Sequence, residues 1–157
     1  GRGTTCTIFF PRVDEAEQQV SDVGGPTVQT HGRETILVVE DEPAVRGLVH
    51  EALRASGYEV LVARHGIEAL LAGARHLGPI HLLLADVVMP QMSGPEVAEK
   101  IAVLRPGIKV LYMSGYPDHP VFSKGAGTGG AAFLQKPFTM VTLTKKVREV
   151  LDGASAV

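Results

Sequence analysis

The sequence predicts an α/β domain built on a five-stranded parallel sheet covered by helices on both faces. Three observations lead there. From Glu34 onward, short apolar runs alternate with stretches of helical periodicity. The central runs lack polar alternation, as in strands buried on both faces. Four of the five runs end in a polar or charged residue, and in a parallel sheet those ends lie along one edge.

Each element follows from its residues. Ile36 to Val39 is the first strand. Pro43 suits the first turn of a helix, whose stripe is Val45, Leu48, Val49, Ala52 and Leu53, with Gly57 as its stop. Val60 to Val62 is the second strand. Ile67, Leu70, Leu71 and Ala74 mark a second helix that ends at Gly78 and Pro79. The third strand is the run from Ile80 into Ala85, which delivers Asp86 before Pro90 stops regular structure. Val97, Ile101 and Leu104 define a third helix up to Pro106, and Ile108 to Met113 is the fourth strand. Ala132 to Leu134 is a short fifth strand. Thr139 caps a last helix bearing Leu143, Val147, Val150 and Leu151. Between strands four and five, residues 115–130 hold two prolines and a glycine-rich tract. That composition argues against a regular helix beyond one or two turns and predicts a mobile loop.

Residues 1–13 read differently. Thr4 to Phe10 is β-branched and aromatic, and Pro11 ends it. Residues 14–33 have linker composition, with Gly24, Gly25 and Pro26 in the middle. A lone strand ahead of a linker cannot bury itself, so we expect it to belong to a preceding domain or to pack on a neighbouring copy, by homodimer contact or strand exchange. The main domain is expected over 34–152, followed by a short tail at 153–157.

Bulk properties narrow the function. With 45% hydrophobic residues, 20% charged residues and a net charge of −2, the chain has no basic excess for direct nucleic-acid binding. No apolar window reaches the length of a membrane span and no leader pattern is present, so a cytoplasmic location is expected. The single Cys6 excludes an internal disulfide, and the six histidines show no metal-site spacing.

At the shared edge, strand one delivers Glu40 and Asp41, strand three Asp86, strand four Ser114 and strand five Lys136. Asp86 alone reads equally as the opening of a turn. Ser114 alone could be a strand-end cap, Lys136 a surface cation. Three close carboxylates repel, and a divalent cation relieves this; hard oxygen ligands suit Mg²⁺. A carboxylate nucleophile, a metal, a hydroxyl and an ammonium together match the needs of phosphoryl transfer.

Four segments in their order and spacing resemble the receiver domains of two-component response regulators: residues 38–43, residues 84–90, Met113-Ser114-Gly115-Tyr116, and Lys136-Pro137-Phe138. The resemblance covers roughly Glu34 to Asp152. It implies a flavodoxin-like, doubly wound sheet in order 2-1-3-4-5; the composition of residues 115–130 makes the helix before strand five short or irregular. It implies Asp86 as phosphoacceptor, and Mg²⁺ held by Glu40 (through water), Asp41, Asp86 and the Val88 backbone carbonyl. Ser114 and Lys136 would meet phosphoryl oxygens, with a cis peptide at Lys136-Pro137. Ser114 and Phe133 fall at the switch positions, although Phe133 reads equally as plain core. Residues 1–13 resemble the closing strand of a histidine kinase ATP-binding domain. The parent would then be a hybrid sensor kinase, and this fragment a phosphoacceptor rather than an enzyme. Its partners would be a histidine kinase, a histidine phosphotransfer protein or its own kinase domain. A phosphorylation-independent interaction module is the alternative. An aspartate-nucleophile phosphohydrolase would usually carry a second Asp where Val88 stands.

Overall fold

The computed structural model describes residues 32–115 and 132–153. The strand expected at residues 1–13, its packing on a neighbour, nearly all of the linker, the segment after Gly115 and residues 154–157 lie outside the described residues. In chain order the elements are β1 Thr35–Val39, α1 Pro43–Ala55, β2 Glu59–Ala63, α2 Gly66–Arg75, β3 Leu82–Asp86, α3 Gly94–Leu104, β4 Lys109–Ser114, β5 Ala132–Gln135 and α4 Met140–Asp152. All strand pairs are parallel, in the order β2-β1-β3-β4-β5. This is the doubly wound, flavodoxin-like arrangement, in which the order reverses between β1 and β3.

Alternation along the strands divides the core in two. Ile36, Val38, Leu82, Leu84, Leu111 and Met113 face α1 and α4, where Val49, Leu53, Leu143 and Val147 meet them. Leu37, Val39, Leu83, Ala85 and Tyr112 face the other way, against Ala69, Val97 and Ile101 of α2 and α3. Period-two side chains on strands buried on both faces produce this split. At about 1.5–3 kcal/mol for each fully buried large aliphatic side chain, the two layers supply the main drive to fold.

The helix ends use local chemistry. Pro43 opens α1 and Gly57, at φ 88°, follows it. Ser93 and Glu96 form a reciprocal capping box on α3, and Thr139 Oγ1 accepts from Thr142 N at 3.1 Å at the start of α4. His65 caps α2 through Nδ1, which accepts from Glu68 N at 3.2 Å.

The α2 face departs from the sequence expectation. Ile67 and Leu71 are 52% and 48% exposed, while Gly66, Ala69 and Gly73 are buried. A Cβ at Gly66 would lie 2.6 Å from Met92 Sδ, and one at Gly73 would lie 2.7 Å from Ile101 Cδ1. Close approach to α3 therefore selects the small face over the large apolar one. Leu48 and Leu104, also assigned to stripes, are exposed as well. No helix among the described residues is long and apolar enough to cross a membrane.

Candidate functional site

The site forms where β1 and β3, neighbours in the sheet, release their chains. Val39 pairs with Ala85, so Glu40 and Asp86 are each the next residue along adjacent parallel strands. Asp41 follows at once. One carboxylate oxygen from each of Glu40, Asp41 and Asp86 lies within 4.8 Å of the others. Glu40 is fully buried, Asp86 is half-buried and Asp41 is exposed, so the cluster runs from the core to the surface.

Lys136 completes it. β5 ends at Gln135, Lys136 N donates to Ser114 O at 2.8 Å, and the Lys136-Pro137 peptide is cis, as the family resemblance implies. The ammonium lies 2.7 Å from Glu40 Oε2 and 3.1 Å from Asp86 Oδ2. Burial pushes the Glu40 carboxyl up from its ordinary range, and the Lys136 ammonium only partly offsets it. Burial is also the largest single influence on Lys136 and pulls its pKa down. The hydrogen bonds and charges of Glu40 and Asp86 together outweigh it, and the net shift is upward. The ammonium is therefore held charged between two carboxylates.

Ser114 ends β4, 2% exposed, one residue beyond the rung that pairs Asp86 with Met113. Val88 stands two residues past Asp86 with an exposed side chain. Phe133 is partly buried on β5, its ring centroid 5.4 Å from that of Tyr112. The structure thus brings Glu40, Asp41, Asp86 and Lys136 into one cluster and sets Ser114 on the next strand. It places Phe133 outside that cluster, on the sheet face that packs against α3.

The donor set suits a divalent cation. Three carboxylates lie closer to one another than one ammonium can compensate, so a cation would relieve their repulsion, and carboxylate oxygens are the ligands that hard cations take.

Two residues missed in the sequence also shape the site. Gly94, the first residue of α3, donates its N–H to Val87 O at 3.1 Å, and a Cβ there would lie 2.2 Å from the Asp86 carbonyl oxygen. The Ser93 to Glu96 spacing of a capping box was the available signal for that close turn. Arg46, in the second turn of α1, donates from Nη1 to Glu40 O at 2.8 Å and Asp41 O at 3.0 Å. Nothing in the spacing singles it out from other helix arginines.

Comparison with known proteins places these observations in context. Residues 36–148 match the family described as the response regulator receiver domain. The chain is 34% identical over 160 residues to the sensor kinase CckA of Brucella abortus, a match covering 97% of this chain and 17% of that protein. It is 29% identical over 119 residues to the response regulator receiver protein CpdR of the same species, covering 76% of this chain and 98% of that one. Among solved structures, the receiver domain of the hybrid histidine kinase CckA superposes with a TM-score of 0.64 at 39% identity, covering 74% of this chain and 98% of that domain. The chain thus spans about a sixth of the length of the kinase it matches.

Proposed function

The chain belongs to the response regulator receiver domain family, and on that premise we propose that Asp86 accepts a phosphoryl group from a phosphohistidine in a two-component phosphorelay. The observation that carries the proposal is the Lys136 ammonium, bound to both Glu40 and Asp86 at the open end of the sheet.

An Asp86 carboxylate oxygen attacks phosphorus. The P–N bond breaks, its electron pair returns to the imidazole, and a P–O bond forms to give an acyl phosphate. Asp86 is held for this by β3, whose four preceding residues are fully buried. Lys136 keeps its shorter bond to Glu40 while its longer contact to Asp86 passes to a phosphoryl oxygen. The Ser114 hydroxyl donates to another phosphoryl oxygen. Glu40 (through water), Asp41, Asp86 and the Val88 carbonyl would hold Mg²⁺, which when bound would neutralise charge on the phosphoryl oxygens. Slow return comes from attack of water on phosphorus, with Asp86 leaving as the carboxylate. Closure of Ser114, with a rotamer change at Phe133, reports the state. Phe133 has no hydroxyl and acts by packing alone.

We also read the domain as residues 34–152 and the parent as a hybrid sensor kinase acting in the cytoplasm. In support, the match to the sensor kinase covers 97% of the chain and the match to the single-domain receiver only 76%. The kinase likeness therefore extends over residues ahead of the receiver, where 1–13 read as a closing strand of a kinase domain.

Incubation with a small phosphodonor and Mg²⁺, followed by intact mass measurement, tests the phosphoacceptor. One phosphoryl group should appear on the wild type and none on Asp86→Asn. Absence of the adduct on the wild type, or equal labelling of the variant, refutes it.

A further inference from the structure

We infer that Arg46 is a positioning residue for the cation site, fixing the main chain that carries Glu40 and Asp41 and keeping its carbonyls away from the ion. The inference rests on the proposed Mg²⁺ site and concerns a residue that lies outside the acidic cluster itself.

The helix geometry sets up the contact. Side chains on a helix lean toward its N-terminus, so an arginine in the second turn can reach back over the start of its own helix. Arg46 does so. Its backbone N–H donates to Glu42 O at 3.0 Å, while Nη1 donates to the two preceding carbonyls, Glu40 O and Asp41 O. Among the described residues its side-chain partners are main-chain carbonyls and not the carboxylates nearby.

Two consecutive carbonyls can meet one nitrogen only if both turn to the same side. That requirement constrains the peptide planes on either side of Asp41, the exposed member of the cluster. Glu40 needs less help. Its amide donates to Ala63 O at 3.2 Å, its Oε1 accepts from Glu42 N at 3.2 Å and its Oε2 is bound by Lys136. Among the described residues, Asp41 has no comparable side-chain anchor, and its direction follows from the backbone that Arg46 holds. The α1 N-cap residue Glu42 makes no side-chain cap that could do the same.

The second consequence concerns which ion fits. Ca²⁺ takes six to eight oxygens and readily recruits main-chain carbonyls, whereas Mg²⁺ keeps several waters and accepts few protein ligands. With the carbonyls of Glu40 and Asp41 engaged by a guanidinium, the pocket offers mainly carboxylates. This ligand count suits Mg²⁺.

The sign of the effect separates positioning from simple charge. A guanidinium beside a cation site repels the ion, so its removal should tighten binding if charge alone mattered. Positioning gives the opposite result. The experiment is isothermal titration of the full chain with Mg²⁺ and with Ca²⁺, for the wild type, Arg46→Met and Arg46→Lys, with melting temperatures in EDTA recorded alongside. Met retains the apolar stem without donors, and Lys can offer two protons from one nitrogen as Nη1 does. We expect Arg46→Met to weaken Mg²⁺ binding about tenfold, the scale seen when partners of ligands are removed. Ca²⁺ binding should fall less, and Arg46→Lys should recover most of the Mg²⁺ affinity. Unchanged or tighter Mg²⁺ binding by Arg46→Met, an unchanged Mg²⁺ to Ca²⁺ ratio, or Arg46→Lys no better than Arg46→Met overturns the inference. If Arg46→Met loses its melting transition in EDTA, Arg46→Leu, which also lacks donors, makes the same comparison, and wild-type Mg²⁺ affinity there overturns it. A wild type that binds no Mg²⁺ overturns the site itself. A wild type that binds normally beside an equally binding Arg46→Met overturns only the role of Arg46.

Discussion

Gly94→Ala should damage both stability and phosphorylation, although it adds one methyl group. The built Cβ lies 2.2 Å from the Asp86 carbonyl oxygen and 3.3 Å from Val87 Cα. Ordinary non-bonded contact needs about 3.5 Å, so the first turn of α3 and the end of β3 must part by about 1 Å. The three nearest atoms are all backbone, and no flexible side chain can yield instead. Overpacking of this kind costs about 1–3 kcal/mol, or roughly 4–12 °C in melting temperature for a domain of this size. The displaced residue is the proposed nucleophile, and a misplacement of about 1 Å is worth about a hundredfold in rate. Gly47→Ala is the internal control. It adds the same methyl in α1, where nothing lies within 4 Å, and should stabilise by about 0.5–1 kcal/mol. Gly94 is not among the described residues with positive φ, so steric contact alone separates the two variants. Thermal unfolding followed by circular dichroism, with phosphoryl incorporation timed by mass, reads both effects. A Gly94→Ala protein that melts and labels like the wild type would refute the steric argument.

Three further outcomes follow from the same geometry. Mg²⁺ at a hundred times its dissociation constant should stabilise the wild type by about 2.7 kcal/mol, reversed by EDTA and much reduced in Asp86→Asn; equal gains in both proteins in thermal melts would contradict the site. Lys136→Ala should cost up to about 3 kcal/mol because Glu40 is left buried and unpaired, and adding Glu40→Gln should recover most of it in a double-mutant cycle measured by urea unfolding. Glu34 is held below the ordinary carboxylate range, chiefly by its hydrogen bond from Arg148 at 2.9 Å, with burial opposing. A depressed carboxylate contributes stability above its unfolded pKa of about 4.3 and loses it as pH falls through the lower folded value. Glu34→Gln should therefore be less stable than the wild type by about 0.5–1 kcal/mol at pH 7, and the gap should close below about pH 4 in unfolding titrations; a gap independent of pH would sink this reading.

The sheet was legible because its strands announce themselves. Residues 36–39 and 82–85 are apolar without interruption, and all eight are fully buried. The edge residues were legible for the same reason, since a buried strand has few ways to end in a carboxylate. The helices were less so. Hydrophobic periodicity weighs Ile67 and Leu71 above Gly66 and Gly73, but helix-to-helix distance reverses that order, and no sequence window contains the distance. The Lys136–Glu40 bond was hidden differently. It joins residues 96 positions apart, and either partner alone reads as an ordinary surface charge.

That bond also explains how three carboxylates can share one end of a sheet. Glu40 is fully buried, and its desolvation would disfavour the charged form without a fixed cation. Lys136 supplies the cation through the shorter of its two contacts and reaches Asp86 through the longer. The two carboxylates therefore have different standing. Glu40 anchors the ammonium from the core side, and Asp86 stands nearer solvent with a partner it can exchange. The proposed role of Asp86 as nucleophile needs that second position, because attack on phosphorus requires a carboxylate oxygen that solvent-side groups can reach. The difference arises from where β1 and β3 end: the same strand register that sets Glu40 and Asp86 side by side leaves one inside the core and one at its rim.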